Sequence, residues 1–220
     1  FETEQLNAQW QFAQSGQTNY WTIGTAAGSA SAESSYAMYI TNNGGYNYNT
    51  GYSSTSWAYL PITITATDSI SFYWKGTGES SYDNLRVYLF PENTTPTAGS
   101  TSTVSGSRQL TSNYLSGQST WQRFEVLPGV EGNYNLCFVW KNDGTAGGTP
   151  IAVDNIHIGN EAVVANNKCG DYLYWEYENG TLTINGRGAM YDYESENLVP
   201  WYGYRANITN VVLPAAITHI

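Results

Sequence analysis

The sequence has little charge and few of the residues that carry most enzyme chemistry. Only 12% of its 220 residues are charged, and it contains two histidines and two cysteines. Nucleophilic catalysis needs a serine, cysteine or threonine beside a base that a third group orients, and neither His157 nor His219 lies in such a motif. A zinc site needs about three or four closely spaced histidine or cysteine ligands. We therefore expect no catalytic centre.

Basic residues and long apolar segments are also scarce. Eight lysines and arginines stand against eighteen acidic residues, which gives a formal net charge of −10. Such a charge disfavours phosphate backbones and anionic lipid surfaces as partners. No run of about 18 apolar residues is present, so no segment is expected to insert into a membrane. Divalent cations and neutral polymers such as glycans remain open as partners.

The two cysteines are too few for a disulfide framework. Cys137 lies in the apolar run Leu136–Trp140, which favours a buried free thiol, while a bridge to Cys169 is the alternative. The sequence opens at Phe1 without a signal peptide. We expect a mature product whose export signal has already been removed.

Aromatic residues are abundant, at 15% of the chain with 19 tyrosines and 8 tryptophans, and no long periodic helical segment is present. Aromatic and β-branched side chains suit strands, so the fold class is predicted to be all-β. Many short strands with long connections indicate a jelly-roll β-sandwich. The expected strands are residues 36–40, 57–64, 69–74, 85–90, 121–127, 134–140 and 151–158, with a surface loop or hairpin arm at 94–107.

The composition changes after residue 159. We predict a jelly-roll domain at 1–159, a linker at 160–168 and a small second domain at 169–220. In the second domain, predicted strands at 173–177 and 181–184 flank Asn179-Gly180, a strong hairpin signal. A further short strand is expected at 210–213.

The first block resembles the bacterial cleaved-adhesin or choice-of-anchor J family, relatives of the MAM-type jelly rolls. The resemblance covers roughly residues 1–158. It is carried by segments in a fixed order: Phe1-Glu2, Tyr20–Thr25, Ser35–Gly45, Ser71–Gly76, Asp83–Leu89, Trp140–Gly144 and Ile151–Ile156. The resemblance implies an exported, non-catalytic module of bacterial surface or secreted proteins, often with bound calcium.

The second block resembles the start of a BspA-type leucine-rich repeat protein. The similar segments are Cys169–Trp175, Gly180–Ile184, Gly186–Tyr193, Pro200–Tyr202, Ile208–Pro214 and Ile217–Ile220. They imply a β-hairpin N-terminal cap followed by a partial first repeat of a solenoid. Because a repeat buries its apolar face against the next repeat, we expect residues 208–220 to be incompletely covered.

A structural calcium ion is the predicted cofactor. Calcium prefers about six to eight oxygen ligands from carboxylates, amides and carbonyls. A jelly roll brings its first and last strands together, so Glu2 and Asp154 are expected to face one ion, and the family resemblance implies the same two carboxylates. The turn at Asn43 adds amide and carbonyl oxygens. The alternative is that Glu2 is a frayed terminal residue and Asp154 a turn former.

Ligand binding is assigned to the tyrosine-rich loop that contains Tyr46, Tyr48 and Tyr52. Aromatic rings pack on sugar rings, and asparagine side chains donate and accept hydrogen bonds. Tyrosine with serine, glycine and asparagine is also typical of protein-binding loops. An ordinary structured loop at the edge of the sandwich is the alternative.

These observations predict a non-enzymatic, adhesin-like binding protein at a bacterial cell surface or secreted from the cell. Its partner is expected to be an extracellular glycan or a host or bacterial surface protein, with no nucleic acid. Two alternatives stay open: an accessory carbohydrate-binding module of a secreted hydrolase, and a structural spacer for a repeat array.

Overall fold

A computed structural model of the chain describes residues 7–31, 35–79, 81–159, 167–171, 173–186, 188–214 and 217–220. The chain divides into two compact units, Phe1–Gly159 and Asn160–Ile220. Each unit has a hydrophobic core of its own.

The described part of the first unit is built from antiparallel strands. They are β1 Gln11–Ala13, β2 Tyr20–Gly24, β3 Ala37–Thr41, β4 Ser54–Ile64, β5 Ser69–Gly76, β6 Asn84–Pro91, β7 Arg108–Gln109, β8 Gln118–Val126, β9 Gly132–Asn142 and β10 Ala152–Gly159. Sheet I has the strand order β1-β4-β9-β6-β7, and sheet II has the order β2-β3-β10-β5-β8. This arrangement confirms the predicted all-β jelly-roll sandwich.

The main core of the first unit fills the space between the sheets, because strand residues alternate between the two faces. In β5, Ile70, Phe72 and Trp74 are buried in this core, whereas Ser71, Tyr73 and Lys75 belong to the opposite face. Trp21, Phe138 and Trp140 add large side chains with at most 1% exposure. Burying each such side chain stabilises the fold by about 1.5–3 kcal/mol.

A second apolar cluster covers the outer face of sheet I. It consists of Trp57, Tyr88, Phe90, Cys137 and Val139. The predicted loop at 94–107 packs over this cluster through Val104, and the indole N–H of Trp57 donates to the Ser100 carbonyl at 2.8 Å. The centre of sheet I is therefore buried on both faces, which is why residues 136–140 form an unbroken apolar run.

Both cysteines are free thiols in buried positions. Burial raises the pKa of Cys137 to about 12 and that of Cys169 to about 11. The interpretation of Cys137 as a buried free thiol is confirmed, and the alternative bridge is absent from the structure.

The second unit contains the predicted hairpin. Its described strands are β11 Lys168–Gly170, β12 Leu173–Glu178, β13 Thr181–Gly186, β14 Gly188–Ala189, β15 Asn210–Val212 and β16 Ile217–His219. β12 and β13 pair antiparallel across Asn179-Gly180, whose φ values of 47° and 83° suit a type I′ turn. The hairpin prediction is confirmed. Lys168, expected in the linker, starts β11 instead.

Two parallel pairs follow the hairpin. β13 pairs with β15, where Thr181 lies opposite Asn210, and β14 pairs with β16, where Gly188 lies opposite Ile217. The two residue pairs have the same separation along the chain (210 − 181 = 217 − 188 = 29). The core of the unit includes Trp175 with Trp201 packed against it. Val211, Val212 and Leu213 are 52%, 45% and 43% exposed, so this strand is incompletely covered, as expected. The leucine-rich repeat assignment stays a prediction.

Among the described residues, no helix has the length and apolar character needed to cross a membrane. Two 3₁₀ turns lie in the second unit, at Glu196–Leu198 and Tyr202–Tyr204.

Candidate functional site

The outer face of sheet II carries polar and aromatic side chains where sheet I carries an apolar cluster. Strand register brings them into rows, since directly opposed residues share a face. Lys75 lies opposite Ala152, and Ala152 lies opposite Tyr39. A second row joins Arg123, Tyr73 and Asp154, and a third joins Glu125, Ser71 and His157.

The centre of this face is a cation held among aromatic rings. The Lys75 Nζ lies 4.7 Å from the centroid of the Trp121 ring and 5.2 Å from that of Tyr46, and it donates to the Ala27 carbonyl at 2.7 Å. Lys75, Tyr46 and Trp121 are half-buried. We call these three residues the Lys75 cluster.

Small residues make room for the Lys75 cluster. Ala27, Ala37 and Ala152 form a buried floor with Tyr39, and Tyr46 and Trp121 pack against it. β5 ends at Gly76, whose φ of 159° and close approach to Pro150 leave no space for a side chain: an added Cβ would lie 2.8 Å from the Pro150 carbonyl oxygen. Lys75 is thus fixed at the end of a strand whose backbone meets the segment before β10.

Tyr46 reaches the face because the turn after β3 is tied down. The Thr41 hydroxyl accepts the Gly44 N–H at 2.8 Å and donates to the Gly45 carbonyl at 2.6 Å. The Tyr46 hydroxyl donates to the Pro150 carbonyl at 2.7 Å, and its ring meets Tyr39 edge-on at 5.9 Å. The aromatic ring of Tyr46 is therefore held in one place.

Burial sets the electrostatics of the cluster. It lowers the pKa of Lys75, because desolvation disfavours the charged ammonium. It also raises the pKa of Tyr46 to about 12, against a smaller opposing effect of its hydrogen bond with Thr149. At neutral pH the cluster therefore presents a neutral phenol, an indole and a partly desolvated amine.

Tyr48 is not a surface residue, so the prediction that it contacts a ligand from an exposed loop is wrong about its exposure. It is 8% exposed and belongs to the main core, where its ring meets Trp140 edge-on at 5.3 Å. Its hydroxyl donates to the Asp83 carboxylate, which also accepts the Asp143 N–H at 3.2 Å. Desolvation raises the pKa of Asp83, and desolvation followed by the bond to Asp83 raises the pKa of Tyr48. Tyr48 joins loops rather than facing a ligand.

Tyr52 is exposed, at 61%, but lies on a fixed backbone. Its carbonyl accepts hydrogen bonds from the side-chain amides of Asn142 at 2.7 Å and Asn19 at 3.4 Å. Asn19 is fully buried and also donates to the Asn142 side chain at 3.0 Å. Of the predicted tyrosines, Tyr46 and Tyr52 therefore offer ring surface, in different settings.

Of the predicted calcium ligands, Asp154 and Asn43 are described by the structure, and Asp154 already has hydrogen-bond donors. Asp154 is fully buried, and its carboxylate accepts hydrogen bonds from the Ser29 hydroxyl at 2.6 Å, the Ala30 N–H at 2.8 Å and the Asn155 N–H at 2.8 Å. These donors occupy most of the acceptor capacity of a carboxylate. Among the described residues, no group of three or more histidine, cysteine or acidic side chains could hold a metal.

Asn43 in particular is too far from Asp154 to share an ion. Val153 pairs with Met38, so Asp154 lies at the start of β3, whereas Asn43 follows its end. The strand between them spans about 13 Å at about 3.3 Å per residue. Asn43 instead accepts the Gly45 N–H through its side chain at 3.0 Å. Glu2 lies outside the described residues, so a calcium site that joins Glu2 with Asp154 stays a prediction.

Lys75 and Trp121 were not predicted as site residues. Alternation in β5 and β8 places both on the outer face, and this signal was present in the sequence. What the sequence does not give is that these strands are neighbours, since Trp121 and Lys75 meet only through the pairing of β5 with β8.

The sequence matches no protein-family model and no curated protein. Among solved structures it is similar to the K1 cleaved adhesin domain of Lys-gingipain from Porphyromonas gingivalis W83, at 19% identity over 69% of this chain and 90% of that one, with a TM-score of 0.43. It is similar to the CBM22-1 xylan-binding domain of Paenibacillus barcinonensis Xyn10C, at 13% identity over 72% and 88%, with a TM-score of 0.42.

A third similar structure is the enzymatically active domain of bacteriophage CBA120 tailspike protein 4. The identity is 15% over 70% of this chain, with a TM-score of 0.42, and this chain spans only 19% of the length of that one. Likenesses at these identities concern the β-sandwich as a fold, and no site residue is carried over from them.

Proposed function

We propose that the first unit is a non-catalytic saccharide-binding module and that its binding surface is the Lys75 cluster on sheet II. The observation that carries the proposal is the pair of half-buried rings, Tyr46 and Trp121, beside an ammonium group on the outer face of sheet II. The corresponding face of sheet I is closed by its own loop.

The chemistry of the cluster suits a sugar ring. An aromatic face packs against the apolar C–H side of a sugar, while polar groups meet its hydroxyls. Within the described part of the chain, the Trp121 indole N–H makes no hydrogen bond, and Lys75 uses one of its three donors. The strand scaffold holds these groups before any ligand arrives, which reduces the entropy lost on binding.

The proposal also covers the cellular location of the module and the kind of protein to which it is attached. The resemblance to cleaved-adhesin modules supports an exported, adhesin-like role at a bacterial surface. An accessory module of a secreted hydrolase would bind through the same face, so the two roles differ in what the module is attached to. A spacer without a ligand would need no partly exposed aromatic cluster.

The experiment is a glycan-array screen of the labelled chain, followed by calorimetry with the best ligand. Trp121→Ala should weaken binding by about tenfold to hundredfold, as expected for a buried aromatic contact of about 1–3 kcal/mol. Phe12→Ala serves as the matched control, because Phe12 is a 37% exposed aromatic on a strand of sheet I. That control should bind as the wild type does.

Absence of any retained saccharide would contradict the proposed function. Equal losses in the two variants would contradict the assignment to sheet II.

A second candidate is contact with a protein through Tyr52. An exposed tyrosine on a backbone held by buried amides is a rigid anchor of the kind found in protein-binding loops. If an array of extracellular proteins retains the chain and Tyr52→Ala abolishes retention while Trp121→Ala does not, this candidate replaces the first.

A further inference from the structure

Lys75 is a half-buried cation with no acidic partner among the residues that the structure describes. Its ammonium contacts one carbonyl and two ring faces. Across the described residues, no carboxylate forms an ion pair with it, whereas Arg123 on the same face pairs with Glu125 at 2.6 Å. Within the described residues, Lys75 thus differs from Arg123 in having no paired carboxylate.

This lack of a partner is unexpected in so acidic a chain. Acidic residues outnumber lysines and arginines by eighteen to eight. Charged groups removed from water are usually paired, because desolvation costs several kcal/mol unless an opposite charge offsets it. Ring faces supply only about 0.5–2 kcal/mol of cation–π attraction.

The ammonium also has unused donors. It carries three N–H groups, and its hydrogen bond to a protein acceptor within the described residues is the one to Ala27. The neighbouring Trp121 indole N–H likewise makes no hydrogen bond within those residues. Donors of this kind, beside a ring surface, favour an incoming group with several anionic oxygens.

We propose that the Lys75 cluster selects acidic saccharides, and that the Lys75 ammonium pairs with a carboxylate or sulfate oxygen of a sugar that stacks on Trp121. This inference rests on the proposed function and narrows its substrate class. The shared chemistry is an anionic substituent on a sugar ring, whether the source is a uronic acid or a sulfate ester.

Binding of an acidic saccharide requires both the stacking of its ring on the aromatic side chains and the pairing of its anionic group with Lys75. One ammonium on a protein of net charge −10 does not attract free anions from a distance, since the overall field repels them. The anionic group must therefore arrive on a ring whose apolar face is bound by the aromatic side chains. Neutral saccharides would use the same rings but leave the ammonium unpaired.

The test compares three probes by calorimetry: oligogalacturonates, sulfated galacto-oligosaccharides and neutral galacto-oligosaccharides of matched length. We expect at least one acidic probe to bind more tightly than the neutral one. Lys75→Gln should weaken the acidic probe by about tenfold to hundredfold, the scale of a hydrogen bond to a charged group, and should weaken the neutral probe by a clearly smaller factor.

Controls separate local pairing from net charge and from folding. Arg108→Gln removes one positive charge from an exposed position on sheet I and should leave all three affinities within about twofold. Lys75→Arg keeps the charge and should retain the preference for acidic probes. Lys75→Met preserves the aliphatic stem, so it reports the loss of charge if Lys75→Gln does not fold.

The outcomes distinguish this inference from the proposed function. If the neutral probe binds as tightly as the acidic ones and the neutral Lys75 variants change nothing, the acidic preference is wrong and saccharide binding stands. If Arg108→Gln weakens acidic binding as much as Lys75→Gln does, the effect is one of net charge and the pairing is wrong. If no saccharide of any kind binds, the proposed function itself fails.

Discussion

The outer faces of the two sheets of the sandwich differ in how completely they are covered. On sheet I, Trp57, Phe90 and Cys137 are fully buried under the loop at 94–107. On sheet II, Lys75 and Trp121 are half-buried and Arg123 and Glu125 are exposed. Both faces are rich in aromatic residues, so aromatic content alone does not distinguish a second core from a binding surface. What distinguishes a second core from a binding surface is the character of the residues that lie between the aromatic ones.

Strand sequences record this difference. β9 contains the unbroken apolar segment Leu136–Trp140, because both faces of this part of the strand are buried. β8 alternates Trp121, Arg123 and Glu125 with residues that face the core, because one of its faces meets solvent. A tryptophan in the first setting contributes to stability, and one in the second is free to contribute to binding.

The largest expected effect contrasts two tryptophans. Trp57→Ala should lower the free energy of unfolding by about 3–5 kcal/mol, because it empties a fully buried site. Trp121→Ala should lower it by less, about 1–2 kcal/mol, since the ring is only half-buried against Lys75 and the floor that contains Ala37 and Ala152. Guanidinium denaturation followed by circular dichroism measures both. Equal losses would show that the outer face of sheet II is also core.

A smaller effect contrasts two tyrosines of the same loop. Tyr48→Phe removes the hydroxyl that donates to the buried Asp83 carboxylate and should cost about 1–3 kcal/mol of unfolding free energy. Tyr52→Phe removes a hydroxyl from an exposed ring and should stay within about 0.5 kcal/mol of the wild type. The same denaturation assay compares them. A harmless Tyr48→Phe would indicate that Asp83 is satisfied without it.

The smallest effect is a dependence on pH. Desolvation raises the pKa of Asp83 in the folded state above its ordinary value of 3.8, so the folded state binds its proton more tightly than the unfolded state does. The stability contributed by Asp83 is therefore fully present below pH 3.8 and is lost as pH rises through the folded-state pKa. The unfolding free energy of wild type minus that of Asp83→Asn should fall across this window. A rise instead would mean that hydrogen bonds outweigh desolvation.

Much of the fold follows from local patterns. Alternation in residues 69–74 and 85–90 predicted β5 and β6, and Asn179-Gly180 predicted the hairpin of the second unit. The short strands β1 and β7 were not predicted, because their two or three residues contain no apolar β-branched run like that of β15. The extent of β9 beyond its apolar run is set by pairing with β4, which no local pattern encodes.

The candidate site was predicted less well, for a physical reason. Tyr46, Tyr48 and Tyr52 have similar neighbours in sequence, yet one lies against a lysine, one is buried on a carboxylate and one is exposed. The position of each tyrosine depends on contacts with Lys75, Asp83 or Asn142, which are distant along the chain. Composition therefore located an aromatic loop, and only the tertiary structure separated the ring that joins the candidate surface from the ring that joins the core.

The buried Asn19 amide has a consequence for the rate at which the chain folds. It donates to Asn142, 123 positions away, and accepts the Asn49 N–H at 2.7 Å. Closing so long a loop costs chain entropy before any hydrogen bond repays it, and sandwiches dominated by such distant pairings fold in milliseconds to seconds. The tyrosine-rich loop cannot be fixed until residues from both ends of the first unit have met. We expect it to be among the last segments to order in a refolding experiment, after the strands on either side of it.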